Sequence, residues 1–147
     1  MVQRIQTVYI LISIFLMGLG LMLPLAEISA NGELFLFKAA GILKGEEVVF
    51  SGLPLQLFIG IIILIHIIAV FSHKKRIRQM RLLVFAIILM LGLFGLFYYF
   101  AYASFENQAI AFKIATVFPF VAIILDYLAI RNIGKDEALV RSLDRIR

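Results

Sequence analysis

The sequence predicts an all-α membrane protein of four transmembrane helices, with both ends in the cytoplasm (N-in/C-in). The first outer loop has room for a short β-hairpin, and the chain closes on a C-terminal amphipathic helix. Three observations lead there. The 147 residues are 63% hydrophobic and only 16% charged, against about 45–50% and 25% for a soluble domain. The apolar residues are gathered into four blocks, Val8–Leu25, Leu53–Phe71, Leu82–Ala103 and Ile110–Ile130. The lysines and arginines flank those blocks unevenly. A chain of this length forms one domain, spanning residues 1–147, and its own core cannot bury so much apolar surface, so lipid must cover it.

Each block has about 18–22 residues, enough for a helix rising 1.5 Å per residue to cross a hydrocarbon core of about 30 Å. None alternates with period two, so they are helices rather than barrel strands. The first is closed by Pro24 and Glu27; at this length it exceeds the apolar region of a cleaved signal peptide and is expected to be retained. The loop 26–52 carries Leu34–Phe37 and Val48–Phe50, two β-prone runs with Gly41 and Gly45 between them, and these are the runs expected to pair as a hairpin. The second block opens at Gly52 and Pro54, a favourable place for proline at a helix start. The loop 72–81 holds Lys74, Lys75, Arg76, Arg78 and Arg81. The tail 131–147 places Leu139, Leu143 and Ile146 on one helical face and sets Glu137 four residues before Arg141, with Gly134 expected to separate it from the fourth span.

Orientation follows from the cations. Arg4, the five of the loop 72–81, and Arg131, Lys135, Arg141, Arg145 and Arg147 fall on one side, whereas only Lys38, Lys44 and Lys113 fall on the other. The richer side is cytoplasmic by the positive-inside rule. The same distribution assigns the net charge of +5 to membrane topology rather than to nucleic acid. All five tyrosines lie near block ends, as an interfacial aromatic belt requires.

The two ends carry a motif. The start reads Gln3-Arg4-Ile5-Gln6-Thr7-Val8-Tyr9, and the end reads Leu128-Ala129-Ile130-Arg131-Asn132-Ile133-Gly134-Lys135-Asp136-Glu137, followed by Leu139-Val140-Arg141-Ser142 and Asp144-Arg145-Ile146-Arg147. With four spans between them, the chain resembles the domain-of-unknown-function family DUF4293. The resemblance covers the whole length and implies a small four-helix inner-membrane protein of Bacteroidota. It implies no activity.

Few residues in the spans can do chemistry. Asp126 lies inside the fourth block, where a carboxylate costs about 2.5–3.5 kcal/mol at a helix centre. It is close on a helical wheel to Ala111, Ala115, Ala122 and Ala129, a small-residue face that points inward. His66 is the other ionisable group in a span and lies at matching depth, so the two can meet as an intramembrane polar pair. Such a pair either passes protons or holds helices together, the carboxylate otherwise pairing with Arg131. One histidine and one aspartate make a poor metal site, and no cofactor is expected. With no cysteine, thiol chemistry and thiolate metal sites are excluded. His73, in the basic loop, suits a lipid headgroup contact.

On the cytoplasmic side, Arg4, Arg131, Lys135, Asp136, Glu137, Arg141, Asp144 and Arg145 form a candidate docking surface, with Arg4 paired to a tail carboxylate and Gln3 and Gln6 adding hydrogen bonds. The expected partners are the bilayer, anionic headgroups at the basic segments, and another membrane protein or a second copy of the chain. No nucleophile–base set, phosphate loop or zinc spacing is visible, so an enzyme is not expected. The reading is an accessory or structural protein of the bacterial inner membrane. The alternatives are a small proton-coupled transporter using His66 and Asp126, and a lipid-acting membrane enzyme.

Overall fold

A computed structural model describes residues 3–105 and 108–144, with side chains described from residue 5 to residue 142 of these. Four helices, α1 (Gln3–Met22), α2 (Leu53–Phe71), α3 (Arg76–Ala103) and α4 (Phe118–Asp144), are joined by a turn between α2 and α3 and by two connections rich in β structure. Each helix is long and apolar enough to cross a membrane. α1 packs chiefly on α4 and α2, and α3 on α2 and α4. The helices thus follow one another around a ring, with α1 facing α3 and α2 facing α4 across the diagonals.

The buried positions step alternately by four and three residues. They are Gln6, Ile10, Ser13, Met17 and Gly20 on α1; Leu55, Ile59, Ile62, His66 and Ala69 on α2, where Ile65 is buried beside His66 outside the spacing; Gln79, Leu83, Ala86, Met90, Leu93, Phe97 and Ala101 on α3; and Pro119, Ala122, Asp126, Ala129 and Ile133 on α4. That is the narrow a/d seam of a left-handed bundle, in which ridges of one helix fill grooves of the next. Only about a third or less of each apolar window is buried within the chain. The rest, including Phe15, Leu57, Ile88 and Phe120, is exposed and is covered by lipid in a membrane.

The expectation of a purely helical fold with one short hairpin is overturned. Five strands, β1 (Ala26–Ala30), β2 (Glu33–Lys38), β3 (Gly41–Lys44), β4 (Glu47–Ser51) and β5 (Ala109–Phe112), form one antiparallel sheet in the order β4-β3-β2-β1-β5. A two-residue turn at Asn31-Gly32 joins β1 to β2, both residues taking positive φ (54° and 79°). This is the turn whose twist matches a hairpin, and Asn-Gly is its preferred dipeptide. β1 therefore has two partners, with Ile28 opposite Phe35 on one side and opposite Ile110 on the other.

One face of the sheet closes an end of the bundle. Ala26, Ile28, Ala30, Phe35, Phe37 and Ile42 are buried against Met17, Leu55, Ile59, Leu93 and Phe97. Phe37 stacks on Phe100 and meets Phe97 edge-on, with centroids 6.2 and 6.4 Å away. Ion pairs Lys44–Glu33 (2.6 Å) and Lys113–Glu27 (2.8 Å) tie neighbouring strands outside this core.

Two boundaries also move. Residues 110–112 belong to β5 and not to the fourth helix, which begins at Phe118 after a 3-10 turn at Ile114–Val117. Helix α4 then runs without interruption through Gly134; a glycine inside a helix costs only about 1 kcal/mol, and Ile133 in the core and Asp136 bonded to Gln6 anchor the helix on either side of it. The expected separate tail helix is the last part of α4 as far as Asp144.

Candidate functional site

The seam carries three buried polar side chains at one level. Ser13 stands near the middle of α1, His66 about one and a half turns before the end of α2, and Asp126 in the first third of α4. All three are fully buried. His66 Nε2 and Asp126 Oδ2 are 2.8 Å apart, so the pair spans the α2–α4 diagonal. Ser13 Oγ donates to Asp126 Oδ1 at 3.0 Å. His66 Nδ1 lies 2.8 Å from the Ile62 carbonyl one turn earlier. The cluster divides the core in two. The sheet side holds Met17, Ile59, Ile62, Met90 and Ala122, and the side of the chain ends holds Ile10, Ala69, Leu83, Ala129 and Ile133.

The hydrogen bonds fix the proton count. A carbonyl can only accept, so His66 Nδ1 must carry a proton and donate it to Ile62. Between Nε2 and Asp126 Oδ2 there is then one further proton. It sits either on the imidazole, giving His⁺–Asp⁻, or on the carboxyl, giving a neutral pair; in both states the cluster as a whole is neutral. That neutrality, together with three donors that all find acceptors, is what makes burial tolerable. Asp126 does not pair with Arg131, which lies five residues on and is exposed. The carboxylate therefore turns into the bundle rather than out to the headgroups.

Ser13 carries little signal in the sequence, because a serine in a helix is common and its hydroxyl usually returns to its own backbone. The only pointer to it is its position midway between Gln6 and Gly20, seven residues from each. Those three mark one edge of the seam, as Ala115, Ala122 and Ala129 mark another.

Of the residues expected to form a cytoplasmic docking surface, Asp136, Glu137 and Arg141 fall into a second cluster at the opposite end from the sheet. The side chains of Arg4, Asp144 and Arg145 lie outside the described residues, so the expected pairing of Arg4 is not placed. Gln6 is buried and donates to Asp136 Oδ2 at 2.6 Å. The Arg76 guanidinium donates to the Asp136 carbonyl at 3.2 Å and lies 3.9 Å from Glu137. Glu137 also accepts from Arg141 one turn later at 3.1 Å. Arg131 and Lys135 are exposed and, among the described residues, have no acidic partner. The end of α4 is thus bonded to α1 through Gln6 and to the start of α3 through Arg76. Among the described residues no group of three or more metal-ligating side chains comes together.

Neither curated proteins nor solved structures provide a match to this chain. A family model, Domain of unknown function (DUF4293), matches residues 2–146. The match takes in the four apolar helices, the sheet between them and both end motifs, and the chain belongs to the DUF4293 family.

Proposed function

We propose that this protein is an accessory or structural protein of the bacterial inner membrane, in Bacteroidota, with both termini in the cytoplasm, and that it acts by binding other membrane proteins rather than by catalysis or transport. The observation that carries this reading is the closed state of the polar cluster. Every polar atom of Ser13, His66 and Asp126 that needs a partner has one inside the bundle. Toward the sheet the seam continues through Met17, Ile59, Met90 and Leu93, with Phe37 of the sheet across its end. A carrier needs a polar chamber at mid-membrane with access from each side in turn, and this half of the core offers no polar step. The outward faces support the reading as well. A Cβ placed at Gly18, Gly60 or Gly95 would meet nothing within 4 Å, so these glycines do not serve packing inside the chain. Small residues on lipid-facing helix surfaces are what lets a second helix approach closely.

The topology rests on the uneven cations and is tested separately. A reporter active only in the periplasm, fused after Arg147, should stay silent; a bright signal would reverse the orientation. For the function, the tagged protein should be cross-linked in cells, extracted in mild detergent and its companions weighed. A membrane protein in near-stoichiometric amount is the expected result, and the isolated chain alone in repeated preparations would count against it.

The second reading, a proton-coupled transporter, draws on the single mobile proton between His66 and Asp126. It requires proton entry into proteoliposomes that Asp126→Asn abolishes. Flux no greater than in empty vesicles would remove it.

A further inference from the structure

The end of the bundle opposite the sheet carries a cavity of about 660 Å³, within the range of about 300–1,000 Å³ usual for ligand pockets. Lys74, Lys75, Arg76 and Arg78, from the α2–α3 turn and the start of α3, line one side of it, and Glu137 and Val140 of α4 line the other. We propose that this cavity binds the phosphate headgroup of an anionic phospholipid from the adjoining leaflet.

The charge is unbalanced in the direction an anion needs. Glu137 is occupied by Arg76 and Arg141. Among the described residues Lys74, Lys75 and Arg78 have no acidic partner and are exposed. The backbone adds to them. Helix α3 opens here with Lys75 at its N-cap, no side-chain cap and no acidic residue in its first turn. The first bond within the helix is made by Gln79 N–H to the Lys75 carbonyl at 3.0 Å. The N–H groups of Arg76, Ile77 and Arg78 are therefore without helical acceptors and sit at the positive end of a 28-residue helix. Basic side chains and free N–H groups converging on one cavity are the chemistry of phosphate recognition.

The walls decide between a lipid and a soluble phosphate. Ile77 and Val140 also line the cavity, each about 40% exposed, and Phe71 ends α2 at 78% exposure close by in the chain. Apolar side chains beside the cations give nothing to a free anion, but they suit the glycerol and first acyl carbons that accompany a headgroup. The place in the fold agrees, since the apolar stretch of α3 begins at Leu82, about 9 Å along the helix from Arg76.

The test uses the full chain purified in neutral detergent, with retained lipid counted by native mass spectrometry. One phosphatidylglycerol should stay bound per chain, and phosphatidylcholine should be held at least tenfold more weakly. Lys74→Gln together with Lys75→Gln should weaken phosphatidylglycerol at least tenfold, because each basic residue near an anionic headgroup contributes about fivefold; Arg76, Arg78 and Arg81 remain to hold the topology. Glu137→Gln removes the one carboxylate of the cavity and should tighten binding several-fold. It also decides the matter if the double variant fails to accumulate: unchanged or weaker binding in E137Q overturns the proposal. Equal retention of the two lipids overturns it too, as does phosphatidylglycerol held equally well by the double variant. Displacement of phosphatidylglycerol by an equal concentration of soluble glycerol phosphate would assign the cavity to a free anion and overturn the lipid.

Discussion

Asp126→Ala should lower the unfolding free energy by about 3–5 kcal/mol, the usual cost of removing one partner from a buried pair, whereas Asp126→Asn should cost less than about 1.5 kcal/mol. The difference follows from the proton count. Alanine strands His66 Nε2 in the core, leaves the Ser13 hydroxyl only its long contact to the Ala122 carbonyl at 3.4 Å, and opens a void where the carboxylate stood. Asparagine keeps the shape and both contacts. With His66 neutral and its Nδ1 proton still given to Ile62, the amide N–H donates to Nε2 and the amide oxygen accepts from Ser13. Denaturant-driven unfolding in detergent micelles, followed by helical circular dichroism, measures both variants. If alanine proves as stable as asparagine, the cluster is not holding α1, α2 and α4 together. His66→Ala should resemble Asp126→Ala, because it exposes the other half of the same bond.

The second large effect is expected at Gly41→Ala, at about 3 kcal/mol or more, combining backbone strain and overpacking of about 1–3 kcal/mol each. Gly41 begins β3 with φ at 132°, a conformation closed to side-chain-bearing residues. A Cβ there would also collide with the backbone carbonyl of Phe50 and the backbone nitrogen of Gly52. Neither neighbour can give way: Gly41 pairs with Ser51 in the sheet, and Gly52 N–H is bonded to the Ala40 carbonyl at 2.8 Å. Gly32→Ala, in the Asn31-Gly32 turn, has positive φ but open space around it, so it should cost only the strain. Melting temperatures of the two variants separate the effects; equal losses would mean the contact with Phe50 is unimportant.

The spans were legible because lipid as a solvent imposes length and apolarity on any helix that crosses it. The seam was legible only where a polar or small residue interrupts that apolarity. Ile59 and Ile61 look alike in the sequence, yet one is buried and the other is exposed; in a membrane both faces of a helix are apolar, so hydropathy has no period to read. Matching depth brought His66 and Asp126 to attention, but Ser13 had no charge to betray it. β5 stayed hidden for a related reason: Ala109–Phe112 is as apolar as a helix, and its pairing with β1 depends on a contact some eighty residues away. The sheet did leave one local signature, Asn31-Gly32, the strongest short hairpin signal available, whereas the reading above rests on Gly41 and Gly45. The Gln6–Asp136 bond joins the two end motifs that carry the family resemblance, which gives those motifs a shared structural task at the chain ends.

The strand order β4-β3-β2-β1-β5 also sets a timetable for biosynthesis. The meander β1–β4 is complete once Ser51 has been made, but the outer edge of β1 has no partner until Ala109–Phe112 follows. At ribosomal speeds of about 5–20 residues per second, the intervening stretch takes about 3–12 s to make. Throughout that interval the nascent chain displays a raw β edge at one end of the bundle, and it is the arrival of β5, in the connection between α3 and α4, that seals it.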